Sequence, residues 1–254
     1  MNHDSYCEAA ISEVLRMADV VEAADPGVDV PSCPGWTLAD LIRHVGRVHR
    51  WTTAMVRDVA QERYGREQLG DLAMPEDETR LAAWLRAGAD PMAQAFRGAD
   101  PDAPMWAWGA DRFARFWPRR MLHETTVHRA DAELALDLEP RIDTAIAVDG
   151  IDEFLANLSP AVAFAPAVAG LQGDGERLVF SSADGEHGWR VALDTDGFSW
   201  SRTSEQDADV TVTVTGLPAD LLLLIYGRRT PDDARFTVTG ADQLLAKWLQ
   251  NSAI

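Results

Sequence analysis

The hydrophobic period changes once along this chain, and that change limits its possible folds more than any single motif does. Up to about Leu158 the apolar residues recur every three or four positions; beyond Gly175 they alternate. A chain patterned this way folds as a helical part followed by an α+β part. Residues 159–175 hold Pro160, Pro166, Gly170, Gly173 and Gly175 and are the expected break. Two domains are therefore predicted, over residues 1–160 and 171–254.

In the first part, residues 4–24 place Ala10, Ile11, Val14, Leu15, Ala18 and Val21 at helical spacing. Thr37 with Asp40 three residues on reads as a capping box opening a second helix that runs to about Gln61. Its apolar face is Leu41, Val45, Val48, Trp51 and Met55, and His44 lies on that face while His49 lies off it. A third helix is expected over 76–96, with Asp90-Pro91 a point of kinking or splitting, and a fourth over 111–136, with Pro118 either at its start or at a kink. Four helices on short or medium loops predict an antiparallel bundle, and 142–158 reads as one more helix. In the second part, strands are expected over 176–183, 189–193, 198–201, 209–215 and 236–238. Asp184-Gly185 and Asp196-Gly197 supply the hairpin turns. Helices are expected over 217–226, closed by Gly227, and over 241–250.

Composition removes several classes of function. With 46% hydrophobic and 25% charged residues, the 254-residue chain is globular in type. A net charge of -18 repels phosphates, so nucleic acid is not an expected partner. No apolar run approaches the ~20 residues a membrane span needs. The first residues lack the basic and apolar regions of a secretory signal. Two cysteines, Cys7 and Cys33, give no C-x-x-C and suit a reduced, cytoplasmic setting. There is no internal repeat, P-loop or G-x-G-x-x-G.

The chemistry concentrates in the fourth helix, in Met121-Leu122-His123-Glu124-Thr125-Thr126-Val127-His128-Arg129-Ala130-Asp131. At ~100° per residue, Glu124 and His128 sit only ~40° apart and reach one point beside the helix. His123 is about a quarter turn away. The run is not His-Glu-x-x-His, because its histidines are five apart, so a zincin reading is rejected. What remains is one carboxylate and one imidazole on a face, two ligands of a possible two-His-one-carboxylate metal site. His44, from a facing bundle helix, is the candidate third, since bundle cores build metal sites from facing helices. Asp131, three after His128 on the same face, is placed to accept an imidazole N–H, and Arg120, four before Glu124, to pair with that carboxylate. Trp106 and Trp108 either wall a pocket or pack between helices. Cys33 reads as a structural loop cysteine, with nothing nearby marking it as an activated nucleophile.

These segments resemble the mycothiol-dependent maleylpyruvate isomerase family. Pro31-Ser32-Cys33-Pro34-Gly35-Trp36 through Asp40-Leu41 to His44 is similar to its opening signature. His123-Glu124-Thr125-Thr126-Val127-His128-Arg129-Ala130-Asp131 looks like its second, and Leu221 to Arg229 with Gly240-Ala241-Asp242 is similar to its C-terminal domain. The resemblance implies a DinB-like four-helix bundle followed by a smaller, sterol-carrier-like α+β domain. It implies a divalent metal, usually zinc, held by His44, Glu124 and His128. It further implies mycothiol as thiol cosubstrate and a C-terminal arginine, Arg228 or Arg229, that holds a substrate carboxylate. The reaction so implied is addition of an activated thiol to an electrophilic small molecule. Elimination after rotation gives an isomerase, and stopping at the adduct gives an S-transferase. A monomer or weak dimer is expected. Two rival readings stay open: a hydrolase using metal-bound water on the same three ligands, and a non-catalytic metal-binding regulatory protein.

Overall fold

The computed structural model describes residues 1–203 and 209–253. It divides into two compact units, residues 1–141 and 142–254. Together they hold eight α-helices and five strands among the described residues, a helical unit followed by an α+β unit as the period change predicts. The division falls earlier than the proline- and glycine-rich segment suggests. The helix 144–158, read from sequence as an appendage of the bundle, belongs to the second unit.

The first unit is built from α1 (His3–Val21), α2 (Leu38–Arg57), α3 (Leu81–Ala87), α4 (Ala89–Gly98) and α5 (Phe116–Ala135). α2 starts where the sequence says it should. The Thr37 hydroxyl accepts from the Asp40 N–H at 3.3 Å, and the Asp40 carboxylate accepts from the Thr37 N–H at 3.1 Å. The expected third helix is two: it breaks at Gly88, and Asp90-Pro91 fall in the first turn of α4, where proline costs no helical hydrogen bond. α5 begins at Phe116, five residues later than expected, and Pro118 sits in its first turn.

α5 is the central element, packed on α1 and α2 and buried around most of its circumference. Its apolar positions Met121, Leu122, Val127 and Ala130 are buried, but so are Arg120, His123, Arg129, Asp131 and Glu133. A charge taken out of water must find a partner or neutralise. Arg129 meets this demand with Glu13 of α1 at 2.7 Å, Glu133 at 2.5 Å and the Arg141 carbonyl at 3.0 Å. α2 approaches α3 closely at Gly46, where a Cβ would stand 2.1 Å from the Trp84 indole.

The second unit is a five-stranded sheet in the order β3-β2-β1-β4-β5, covered by α6 (Thr144–Leu158), α7 (Pro218–Ile225) and α8 (Asp242–Asn251). The strands are β1 (Glu176–Ser182), β2 (Gly188–Asp194), β3 (Gly197–Arg202), β4 (Val212–Gly216) and β5 (Thr237–Gly240). β1 and β4 run parallel and the other neighbours antiparallel. Alternation puts Leu178 and Phe180 in register with Val191 and Trp189 on one side and with Val212 and Val214 on the other. Those rows and the leucines of α7 make the core. Asp152 ties α6 to the sheet, accepting from Trp189 Nε1 at 3.0 Å and from the Arg202 guanidinium at 2.6 and 2.7 Å. The strand expected from Asp209 begins only at Val212. α7 ends as read, with Gly227 at φ +75° and the Gly227 and Arg228 N–H groups donating to Leu224 and Leu223.

No helix among the described residues is long and apolar enough to cross a membrane.

Candidate metal centre

Three side chains from two helices converge in the first unit. Glu124 and His128 project from α5 one turn apart, and His44 comes from the second turn of α2. Glu124 Oε1 lies 3.3 Å from His44 Nε2 and 3.4 Å from His128 Nε2. One donor atom from each of the three lies within 4.8 Å of the others. A tetrahedral ion with bonds of about 2.0–2.2 Å spaces its donors about 3.3–3.6 Å apart. The carboxylate-to-imidazole spacings are of that size, and nitrogen with oxygen is a donor set that zinc and other divalent ions accept.

Each donor is oriented by a neighbour. Asp131 Oδ2 lies 2.8 Å from His128 Nδ1, so the His128 Nδ1–H donates to a buried carboxylate and Nε2 faces Glu124. Arg120 brings a guanidinium nitrogen to 3.5 Å from Glu124 Oε2, leaving Oε1 toward the histidines. His44 packs against Trp36 at 5.0 Å between ring centres, and meets the His128 ring edge-on at 5.0 Å. Trp36 reaches it because the loop before α2 turns at Gly35, with φ +83°.

The electrostatics follow from these contacts. Burial alone would raise the Glu124 carboxyl. Its hydrogen bonds with His128 and His44, and the charges of His128 and Arg120, outweigh burial and hold it well below the usual carboxylate range. Burial would likewise lower His128, but Asp131, Cys33 and Glu124 hold it well above the ordinary imidazole value. The cluster is thus an ion pair of Glu124 with His128, and a cation held there would have to displace the His128 Nε2 proton.

Sequence reasoning undervalued Cys33. Its thiol donates to Asp131 Oδ2 at 3.5 Å, and Cys33, His128 and Asp131 form a second group of possible donors beside the first. The only signal was its place in the proline-stiffened loop preceding α2. His49, set aside as off the apolar face, is buried and lies 2.9 Å from the Thr125 hydroxyl. That hydroxyl already donates to the Met121 carbonyl, so His49 Nε2–H is the donor. His123 is fully buried and not among the converging groups. Trp106 packs with Trp51 and Trp117, and Trp108 with Phe116 and the Arg120 guanidinium.

Arg228 and Arg229 lie in the second unit, just after α7. Arg229 Nε stands 3.0 Å from Asp220, and the side chain is 8% exposed. Arg228 donates to the Tyr226 carbonyl at 2.6 Å.

Comparison with known proteins bears on both units. The family model described as the mycothiol maleylpyruvate isomerase N-terminal domain matches residues 7–133. The MDMPI C-terminal domain of the same family matches residues 145–247. Two crystal structures of the mycothiol-dependent maleylpyruvate isomerase, one of them a histidine-to-alanine mutant, resemble the chain with TM-scores of 0.56 and 0.59. Each is 16% identical to it and aligns over 94% of this chain and 93% of its own. At that identity the likeness is one of fold. A comparison with curated proteins finds no match.

Proposed function

The chain belongs to the mycothiol maleylpyruvate isomerase family, and from that premise we propose that it is a metal-dependent enzyme using mycothiol on an electrophilic small molecule, as an isomerase or an S-transferase. The observation that carries the reading is the convergence of His44, Glu124 and His128 on one point from two helices.

In this reading those three residues hold a divalent metal, zinc by preference for such a donor set. A metal held there would acidify a thiol brought to its open side, as it does bound water. The chain's own groups do the rest. Asp131 fixes the tautomer of His128 through Nδ1–H. Arg120 balances the Glu124 charge from the side away from the histidines. An arginine after α7, Arg228 or Arg229, is the candidate for holding a substrate carboxylate. The thiol proton leaves to solvent and the sulfur adds to one carbon of a double bond conjugated to a carbonyl, whose π electrons pass to an enolate. Rotation about the resulting single bond and expulsion of the sulfur by the enolate complete an isomerisation, and protonation of the enolate carbon by solvent completes a transfer.

The remaining features belong to the same proposal. α1, α2, the α3–α4 pair and α5 supply the four helical rods of a DinB-like bundle, and the helix-covered sheet is the sterol-carrier-like module. The partners are a low-molecular-weight thiol and a small molecule, without nucleic acid or membrane, in a cytoplasmic monomer or weak dimer.

The test is metal analysis of protein purified without added metal, beside His44→Ala, together with turnover of a cis-enedione acid with and without mycothiol. Stoichiometric metal in the parent, its loss in the variant, and thiol-dependent turnover are expected. Equal metal in both proteins ends this reading, and turnover indifferent to thiol moves the site to metal-dependent hydrolysis.

A further inference from the structure

A cleft of about 820 Å³ lies inside the first unit, between α2 and the 63–74 loop. This is a volume suited to a small organic ligand. α2 contributes Arg47 and Trp51, three and seven residues beyond His44 and on the same face, about 4.5 and 10 Å further along the axis. The loop contributes Arg63, Arg66, Leu72 and Met74.

Two features make this a built cavity. The loop is pinned near both ends by indoles, with Trp51 Nε1–H donating to the Tyr64 carbonyl and Trp84 Nε1–H to the Leu72 carbonyl, each at 2.9 Å. The Trp51 ring is itself held edge-on by Trp106 at 5.8 Å and Trp117 at 5.3 Å, so it is a fixed platform. The charged side chains of the lining are three arginines to one aspartate. Arg47, Arg63 and Arg66 have no carboxylate partner among the described residues, in a chain with 41 acidic side chains to 23 basic. The one acid of the lining, Asp71, accepts from the Ala73 N–H at 2.8 Å within its own turn. Arg63 instead lies 6.0 Å over the Trp51 ring.

We infer that this cleft is a binding site for an organic anion with a flat apolar body, such as an aromatic carboxylate. The three guanidinium groups take the charge, with bidentate geometry available to each. Trp51, Leu72 and Met74 take the apolar body. Neither group of residues belongs to the metal cluster, so the inference stands apart from the proposed reaction.

The test is calorimetric titration of the full chain, as purified, with 2-naphthoate, with neutral 2-naphthamide and with inorganic phosphate. The same titrations are run on His44→Ala, on Trp51→Leu and on the triple variant Arg47→Ala, Arg63→Ala, Arg66→Ala. The three arginines are exposed, so the triple variant keeps its fold, which a thermal melt checks. Naphthoate is expected to bind the parent and His44→Ala alike. It should bind the triple variant about tenfold or more weakly, since hydrogen bonds to a charged group contribute roughly 1.5–3 kcal/mol each. The amide and phosphate, each lacking half of the recognised features, are expected to bind more weakly than naphthoate. Absence of naphthoate binding, equal affinity in the triple variant, or loss of binding only in His44→Ala overturns the inference. The last result would place the anion at the donor cluster.

Discussion

Asp131 shows how much one buried side chain can be asked to do. It is fully buried and accepts from His128 Nδ1 and from the Cys33 thiol. A structural acid in that place would leave metal affinity untouched, whereas an orienting acid sets it. Asp131→Asn is expected to weaken metal binding about tenfold or more, read by competition with a chelator; an unchanged affinity would return Asp131 to a purely structural role. His49 carries a different prediction. Burial pushes its pKa down to about 3 from 6.5. Between those values the unfolded chain holds a proton that the folded one refuses. Stability therefore falls as pH drops from about 6.5 toward 3, by up to about 1.4 kcal/mol per pH unit, and His49 contributes no pH dependence above that window. Between pH 7 and pH 5 the parent should lose about 2 kcal/mol more than His49→Gln in urea unfolding. Parallel pH dependence in the two would remove His49 as the cause. At this scale Glu124 and His128 were legible because one helix places both. Cys33 was not, because 98 residues separate it from the carboxylate it meets.

Among the elements, α5 decides most, and its joint with α1 is ionic. Arg129 is fully buried between Glu13 and Glu133. Removing one partner from such a group strands the others without solvent. Arg129→Met is thus expected to cost about 3–5 kcal/mol in urea unfolding. A cost under about 1 kcal/mol would mean that water reaches the carboxylates in the parent. The start of α2 was readable to the residue, since a capping box is complete within four positions. The break in the third helix was misplaced by two or three residues. Asp90-Pro91 is the stronger signal in the sequence, yet proline is harmless in a first turn, and the chain breaks at Gly88. β4 starts at Val212 although alternation begins at Asp209: its ladder with β1 begins at Leu178↔Val212, where the Thr211 hydroxyl accepts from the Arg177 N–H in place of a backbone carbonyl.

For the molecule as a whole, the two units settle where the chain can be cut. α6 supplies Ile151, Phe154, Leu155 and Leu158 to the core of the sheet, and Asp152 to Trp189 and Arg202. A fragment of residues 142–254 is expected to unfold cooperatively on heating, followed by circular dichroism. One of residues 171–254, cut at the sequence-expected boundary, should lack that transition. Equal melting of the two would detach α6 from the second unit. The sequence by itself determined the order of helical and alternating segments, the caps, the hairpin turns and the pairing of Glu124 with His128, because each depends on residues within a turn or two of one another. Only the tertiary structure decided that α6 joins the sheet, that Cys33 meets Asp131, that three arginines face one cleft, and that His44 lies 3.3 Å from Glu124. Those are meetings of distant segments, fixed by which buried faces fit together, and a one-dimensional pattern of hydrophobicity carries no record of that fit.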